Sequence, residues 1–204
     1  MLASSGSPCA TRRWDAGPLR VAQVSRVSYS KGVHVTNEAV RLAGSAVESC
    51  TLLGSNLRTS AGLVQRSGAI TFPGATGRLG VRDLLRQSDV LVHPALSDPM
   101  PRAVLEAMAC GLPVVTTAES GYTDLVEDGF NGFIVPAGDA AALAATLVRL
   151  AADPALRQRV GAAARATAEA NSWEAFSARF RKVLHAEILP LLESLSVPRG
   201  EPVT

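Results

Sequence analysis

A chain of 204 residues with 47% hydrophobic content can bury a full core, yet it has the length of one large α/β domain. Its formal net charge of +2, with acids and bases interspersed, gives no bulk attraction to a polyanion, which excludes nucleic acid as a partner. No apolar run approaches the ~20 residues that span a bilayer, so no transmembrane segment is expected and only peripheral membrane contact is left open.

Residues 1–18 are small, polar and punctuated by Pro and Gly, without a hydrophobic signal core, and read as a flexible leader. Leu19 to Ser25 is a short apolar strand, and the loop after it carries Arg26 and Lys31, the latter followed by Gly32. A helix runs from Val35 to Ala46, then strands at Cys50 to Leu53 and Ala69 to Phe72, the second ending before Pro73-Gly74. Val81 to Arg86 is a short helix, and Asp89 to His93 the fourth strand. Pro113 to Thr117 and Gly132 to Val135 supply the fifth and sixth. Strands alternating with helices predict a single Rossmann-like parallel sheet covered by helices, with ligands at the carboxyl ends of the strands, where Arg26, Gly74, His93 and Asp98 fall. After Val135 three capped helices follow, with Asp139, Asp153 and Ser172 as caps; their apolar positions, Phe176, Phe180 and Val183 among them, predict packing on the sheet and on each other, with Trp173 as a core anchor. The domain is expected over 19–195, closed by a helical C-terminal extension, with 196–204 as tail. The cysteines Cys9, Cys50 and Cys110 share no metal-ligand spacing, and the surroundings of Cys50 and Cys110 are apolar, as suits reduced thiols in a cytoplasmic protein.

Asp98 to Val115 is the stretch around which the chain is arranged. Asp98 stands in a Pro-broken loop, and Pro101 sits at a natural first helical position. From Ala103 to Cys110 every residue is apolar except Glu106, and side chains on a helix lean toward its N-terminus, so Glu106 points back toward Asp98 and toward the free N–H groups that favour phosphate. Taken alone, two acids at this spacing are more ordinarily a solvated helix Glu and an unrelated loop Asp. Likewise Arg26 and Lys31, a guanidinium fork and a mobile ammonium, suit a diphosphate, although two basic residues in a polar loop are more often plain surface. His34, His93 and His185 form no triad or metal spacing.

The string Glu106-Ala-Met-Ala-Cys-Gly-Leu-Pro-Val-Val, with Asp98 eight positions before it, resembles the C-terminal, donor-binding domain of the family 4 glycosyltransferases of the GT-B fold, and the likeness extends over most of residues 20–185. The resemblance implies transfer of a sugar from a nucleotide-diphosphate sugar to an acceptor, with retention of configuration and neither metal nor cofactor. It implies that Asp98 and Glu106 are the catalytic acids, Asp98 orienting the donor sugar and Glu106 accepting from the ribose. It further implies that Arg26, Lys31 and Met100 hold the donor diphosphate, and that Gly74 and His93 join Glu106 around the nucleotide or sugar. Ser120 to Asp124 falls where relatives show Gly-Gly-x-x-Glu near the donor pocket, its alternative being a loop that caps the helix up to Val126. The chain departs from the family pattern in four places: Asp98 replaces Glu, Pro99 replaces a Gly whose N–H is then lost, Ala95 replaces a frequent Ser, and the amino-terminal acceptor domain has no counterpart in residues 1–18. The expectation is a donor-binding half whose Rossmann-like partner domain is a separate chain or was lost by truncation, the alternatives being a non-catalytic nucleotide-sugar-binding module or degenerate remnant and, against the Glu106 context, an epimerase on the same fold.

Overall fold

The computed structural model of the protein describes residues 14–55 and 68–194. Six strands, β1 (Leu19–Val24), β2 (Val47–Leu53), β3 (Ile70–Gly74), β4 (Val90–His93), β5 (Val114–Thr117) and β6 (Phe133–Val135), form one sheet in the order β3-β2-β1-β4-β5-β6. Every pairing is parallel. Helices α1 (Val33–Ala43), α2 (Arg78–Gln87) and α3 (Arg102–Ala109) lie between strands, and α4 (Ala140–Ala152) and α5 (Pro154–Ala170) follow β6.

The near-continuous apolar strands are explained by burial on both faces of the sheet. Alternate residues feed opposite cores: Val21, Val90, Val92 and Val115 join Val35, Ala39, Leu143 and Leu147 of α1 and α4. Ala22, Leu91 and Val114 join Val104, Ala107 and Met108 of α3 on the other side. The expected Rossmann-like layer is therefore present, with small shifts at the ends. β2 begins at Val47 rather than Cys50, because Leu19 pairs with Val47 across the ladder despite the polar Glu48 and Ser49 between.

The three caps form as the sequence predicts. Asp139 Oδ1 accepts from Ala142 N at 2.9 Å, Asp153 Oδ1 from Leu156 N at 2.9 Å, and Ser172 Oγ from Ala175 N at 3.2 Å. At the start of the chain, residues 1–13 of the expected leader lie outside the described residues. Its end is tied down: Gly17 N donates to Ala151 O at 3.3 Å, and the buried Arg157 donates to Asp15 O at 2.5 Å. The guanidinium of Arg157 also bonds the carbonyls of Leu150 and Ala151, where α4 ends.

The compact unit that carries the sheet ends at Glu169, and Ala170 opens a second. That unit holds α6 (Trp173–Val183), a π-helical segment Leu184–Ile188 and α7 (Leu189–Ser194). The expectation that α6 is a packed helix with Trp173 as anchor is corrected here. No residue of α6 is buried, Trp173 is 68% exposed, and the rings of Trp173, Phe176 and Phe180 stack on one another instead. The i, i+3, i+7 spacing puts the rings on one helix face, which the sequence pattern alone cannot distinguish from a core-facing stripe. The tail from residue 196 lies outside the described residues.

Candidate functional site

In this strand order the chain leaves β1 toward β2 and leaves β4 toward β5, in opposite directions, so a crevice opens where the carboxyl ends of β1 and β4 adjoin. A cavity of about 630 Å³ occupies that crevice, and Arg26, Lys31, His93, Asp98, Met100 and Glu106 all line it. The sequence-derived site is thus gathered in one place, with Gly74 as the exception. Gly74 has a left-handed φ of +92° at the end of β3 and does not line the cavity; Thr76 and Arg78, just beyond it, do.

Two loops build the charged wall. Gln23, buried on β1, donates from Nε2 to Lys31 O at 2.8 Å and so fixes the loop that carries Lys31. Gly32 follows with φ +67°, and a Cβ there would lie 1.8 Å from Pro94 O, so only glycine lets this loop lie against the one after β4. Leu96 N donates to Ser30 O at 2.8 Å across the same contact. From the other side Thr116 and Thr117 of β5, both buried, donate their hydroxyls to His93 O at 3.3 Å and Ala95 O at 2.6 Å. Asp98 is further pinned between Glu119 and Gly121, with Asp98 N donating to Glu119 O and Gly121 N to Asp98 O. The Ser120–Gly121 loop expected near the pocket therefore supports it through Asp98.

The result is a compact charge array. Lys31 Nζ stands 2.9 Å from Asp98 Oδ2 and donates to Ser97 O at 3.2 Å, while His93 Nε2 lies 3.0 Å from the same Oδ2. Burial pulls the Asp98 carboxyl upward, but the hydrogen bond and charge of Lys31, with the neighbouring His93 ring and the Met100 N–H, outweigh it and leave Asp98 below the usual carboxylate range. Burial pushes the His93 imidazole down, more than Asp98 raises it, so His93 is neutral. A carboxylate only accepts, so Nε2 carries the proton of that neutral ring. Met100 is exposed at the mouth, and its N–H makes a long 3.4 Å contact to Asp98 Oδ1.

Glu106 enters from α3. Pro101 proves to be the N-cap of this helix rather than its first residue, and Ala103, on the first turn, lines the cavity. Burial raises the Glu106 carboxyl above its ordinary value, and the charges of Arg102 and Arg78 oppose this in part. Tyr122 stands near enough to Arg102, Glu106 and Asp98 to feel all three charges, though burial is the main reason its phenol is raised.

Sequence reading missed Arg78, Arg82 and Arg102, which make five cationic side chains with Arg26 and Lys31 around the two acids. The i, i+4 spacing of Arg78 and Arg82 was the available signal, since it puts both on one face of α2. Such an excess of positive charge fits a ligand with several negative charges. Among the described residues no three His, Cys, Asp or Glu side chains gather in a way that would hold a metal ion.

Comparison with known proteins gives this geometry its context. The family model for glycosyl transferases group 1 matches residues 11–167, more than half of the chain. The amylovoran biosynthesis glycosyltransferase AmsK of Erwinia amylovora is 34% identical over 166 residues, 74% of this chain and 40% of that protein. Among solved structures, the sucrose-phosphate synthase of Thermosynechococcus elongatus superposes with a TM-score of 0.75 at 27% identity, covering 91% of this chain and 47% of the other. Anabaena HepE, solved in complex with UDP-glucose, superposes with a TM-score of 0.66 at 26% identity, covering 74% of this chain and 44% of the other. The chain thus spans less than half the length of these relatives, and its fold is that of the C-terminal domain of GT-B glycosyltransferases. It belongs to the group 1 glycosyl transferases.

Proposed function

We propose that this domain binds a nucleotide-diphosphate sugar in the β1–β4 crevice and, completed by an acceptor-binding domain, transfers the sugar with retention in the manner of family 4, in the cytoplasm and without a metal. The observation that carries the reading is the cavity itself, in which five cations and two carboxylates converge at the switch point of a parallel sheet. Arg26 and Lys31 neutralise the diphosphate as it departs, which is stabilisation of charge where it develops in the transition state. The free N–H end of α3 adds its positive dipole. Glu106 accepts hydrogen bonds from the ribose hydroxyls, and Asp98, held ionised, orients a hydroxyl of the donor sugar. His93 supports Asp98 from below. Neither acid acts as nucleophile; the chain contributes position and electrostatics.

Because this chain covers 40% and 47% of the length of two such relatives, the wall that carries the acceptor is assigned to a second domain. A thermal-shift screen of nucleotides and nucleotide sugars, with and without EDTA, tests the donor half of the reading. Ligand at 100 times its dissociation constant stabilises a fold by about 2.7 kcal/mol, which moves the melting point of a domain this size by roughly 5–11 °C. A shift with a nucleoside diphosphate that survives EDTA supports the assignment, and no shift with any nucleotide overturns it. The competing reading, a non-catalytic binding module, is favoured by Pro99, which offers no N–H at the cavity's edge. That reading predicts the same shift but no transfer when an acceptor domain is co-expressed.

A further inference from the structure

We infer that Lys31 is held on Asp98 until a phosphate competes for it, and that His93 is the positioning residue that keeps Asp98 in place once Lys31 has turned away. The inference rests on the donor reading above and adds an order of engagement to it: phosphate first, sugar second.

A carboxylate oxygen has about two lone-pair sites. Oδ2 of Asp98 fills both, with Lys31 Nζ at 2.9 Å and His93 Nε2 at 3.0 Å, and the whole side chain is only 14% exposed. A sugar hydroxyl has no room on that oxygen while Lys31 remains. Lys31 is engaged as well, through Asp98 and through Ser97 O at 3.2 Å, yet it is the mobile partner, an ammonium on a flexible four-carbon stem. Arg26 stands in contrast: it lines the same cavity, is exposed, and has no acid partner among the described residues. The first cation to meet a diphosphate is therefore Arg26, and the second must be drawn off Asp98. An uncharged nucleoside or a free sugar offers nothing that draws it off.

His93 is built for the second state. Its ring is 1% exposed, its Nε2–H faces Asp98, and its Nδ1 is buried without a hydrogen-bond partner. A buried imidazole with one nitrogen orphaned and the other on a carboxylate has Asp98 as its one polar contact through the ring, and that contact does not depend on Lys31. The strand β4 and the Thr116 hydroxyl on His93 O fix the ring's backbone, so Asp98 keeps its place when the cation leaves.

Calorimetry on the full chain with UDP, GDP, ADP and inorganic pyrophosphate tests the lock, comparing the parent with Asp98→Asn, Lys31→Ala and the double variant. Asp98→Asn removes the competitor for Lys31, so affinity for pyrophosphate and for the bound nucleoside diphosphate is expected to rise about five- to tenfold, a change of about 1–1.4 kcal/mol. In the Lys31→Ala background the same substitution is expected to do almost nothing. Equal tightening in both backgrounds is a charge effect alone and overturns the lock, as does unchanged or weaker binding in Asp98→Asn. Binding by Asp98→Asn where the parent binds no probe supports it, and failure of both to bind any probe overturns the lock together with the donor reading. For His93, the readout is the ratio of affinities for UDP-glucose over UDP and for GDP-mannose over GDP. His93→Leu is expected to lower that ratio with diphosphate affinity unchanged, and His93→Gln, which keeps an N–H at similar reach, to restore it. A lowered melting point with an unaltered ratio would show a packing role only and refute the positioning role.

Discussion

Replacing Glu106 by Gln separates ligand binding from stability. Glu106 lies on α3 among the buried residues Ala103, Val104, Ala107 and Met108, and its carboxyl is raised by that burial. A raised acid stabilises the fold below its unfolded value and loses that contribution as pH rises through the folded one, so at neutral pH the charge is a burden on the fold. The isosteric amide removes the burden. Stability at pH 7 is expected to change by no more than about 0.5 kcal/mol, toward the stable side, with the difference shrinking on acidification. Nucleotide affinity moves the other way: a hydrogen bond to a charged acceptor is worth roughly 1.5–3 kcal/mol, so binding should weaken by about 10- to 150-fold. In the parent, affinity should also fall on acidification, starting above the ordinary carboxyl value of 4.5, because protonation removes the acceptor. Calorimetry with UDP and GDP across that range, alongside thermal melts, reads both effects. Unchanged affinity in Glu106→Gln for a nucleotide that the parent binds would refute the role.

Arg26→Ala is expected to weaken diphosphate binding about tenfold and to leave nucleoside binding alone, with the diphosphate effect shrinking in salt as charges are screened over ~8–10 Å; calorimetry at two ionic strengths checks it. Asp89→Ala should cost about 2–4 kcal/mol, since the buried Asp89 accepts from Arg20 N, Nε and Nη2 at 2.9, 3.0 and 2.9 Å. Asp89 is depressed despite its burial, so its contribution is present above the ordinary 3.8 and is lost as pH falls through the lower folded value; urea unfolding at pH 7 and pH 3 should show the parent and variant converging in acid. Gly32→Ala should destabilise by at least about 2 kcal/mol and abolish diphosphate binding, because the new Cβ would drive the Lys31 loop off Pro94; melting and calorimetry report the two losses separately.

Much of the fold was legible because the strands β4 and β5 open on the apolar runs Val90-Leu-Val and Val114-Val and the caps Asp139, Asp153 and Ser172 announce their helices. Glu106 was legible for the same reason, as one acid in an apolar helix. The pairing of Lys31 with Asp98 was not, since it depends on two loops far apart in sequence meeting at Gly32 and Pro94. His93 was readable as a residue at a strand end but not as a partner of Asp98, because a side chain's direction at the end of a strand is set by the loop beyond it. Arg78, Arg82 and Arg102 look like surface charge in sequence, and only the position of α2 beside α3 across the cavity turns them inward. The stacked rings of α6 illustrate the opposite error, where a periodic apolar stripe reads as core and is exposed.

The buried polar residues of the sheet unit show why its site is at the β1–β4 boundary and not elsewhere along the sheet. β1 and β4 pair through only two registers, Val21 with Val90 and Ala22 with Leu91, so beyond them the ladder no longer holds the strands together. An opened ladder leaves backbone groups that hydrogen bonds of another kind must satisfy. Gln23, Thr116 and Thr117, all but fully buried, supply such bonds to Lys31 O, His93 O and Ala95 O, and the equally buried His93 bonds the Asp98 carboxylate. Each of these residues breaks the apolar pattern that the strands otherwise follow, and each bond ends on the loop carrying Lys31, on the loop carrying Asp98 or, for Thr116, on the end of β4 that leads into the latter. Local patterning yields to the site where the two conflict, as is expected where a fold gives up regularity for function. The same four positions therefore hold the crevice open and hold its charges in place, and a substitution that restored apolar patterning there would strengthen the strand signal while loosening the cavity wall.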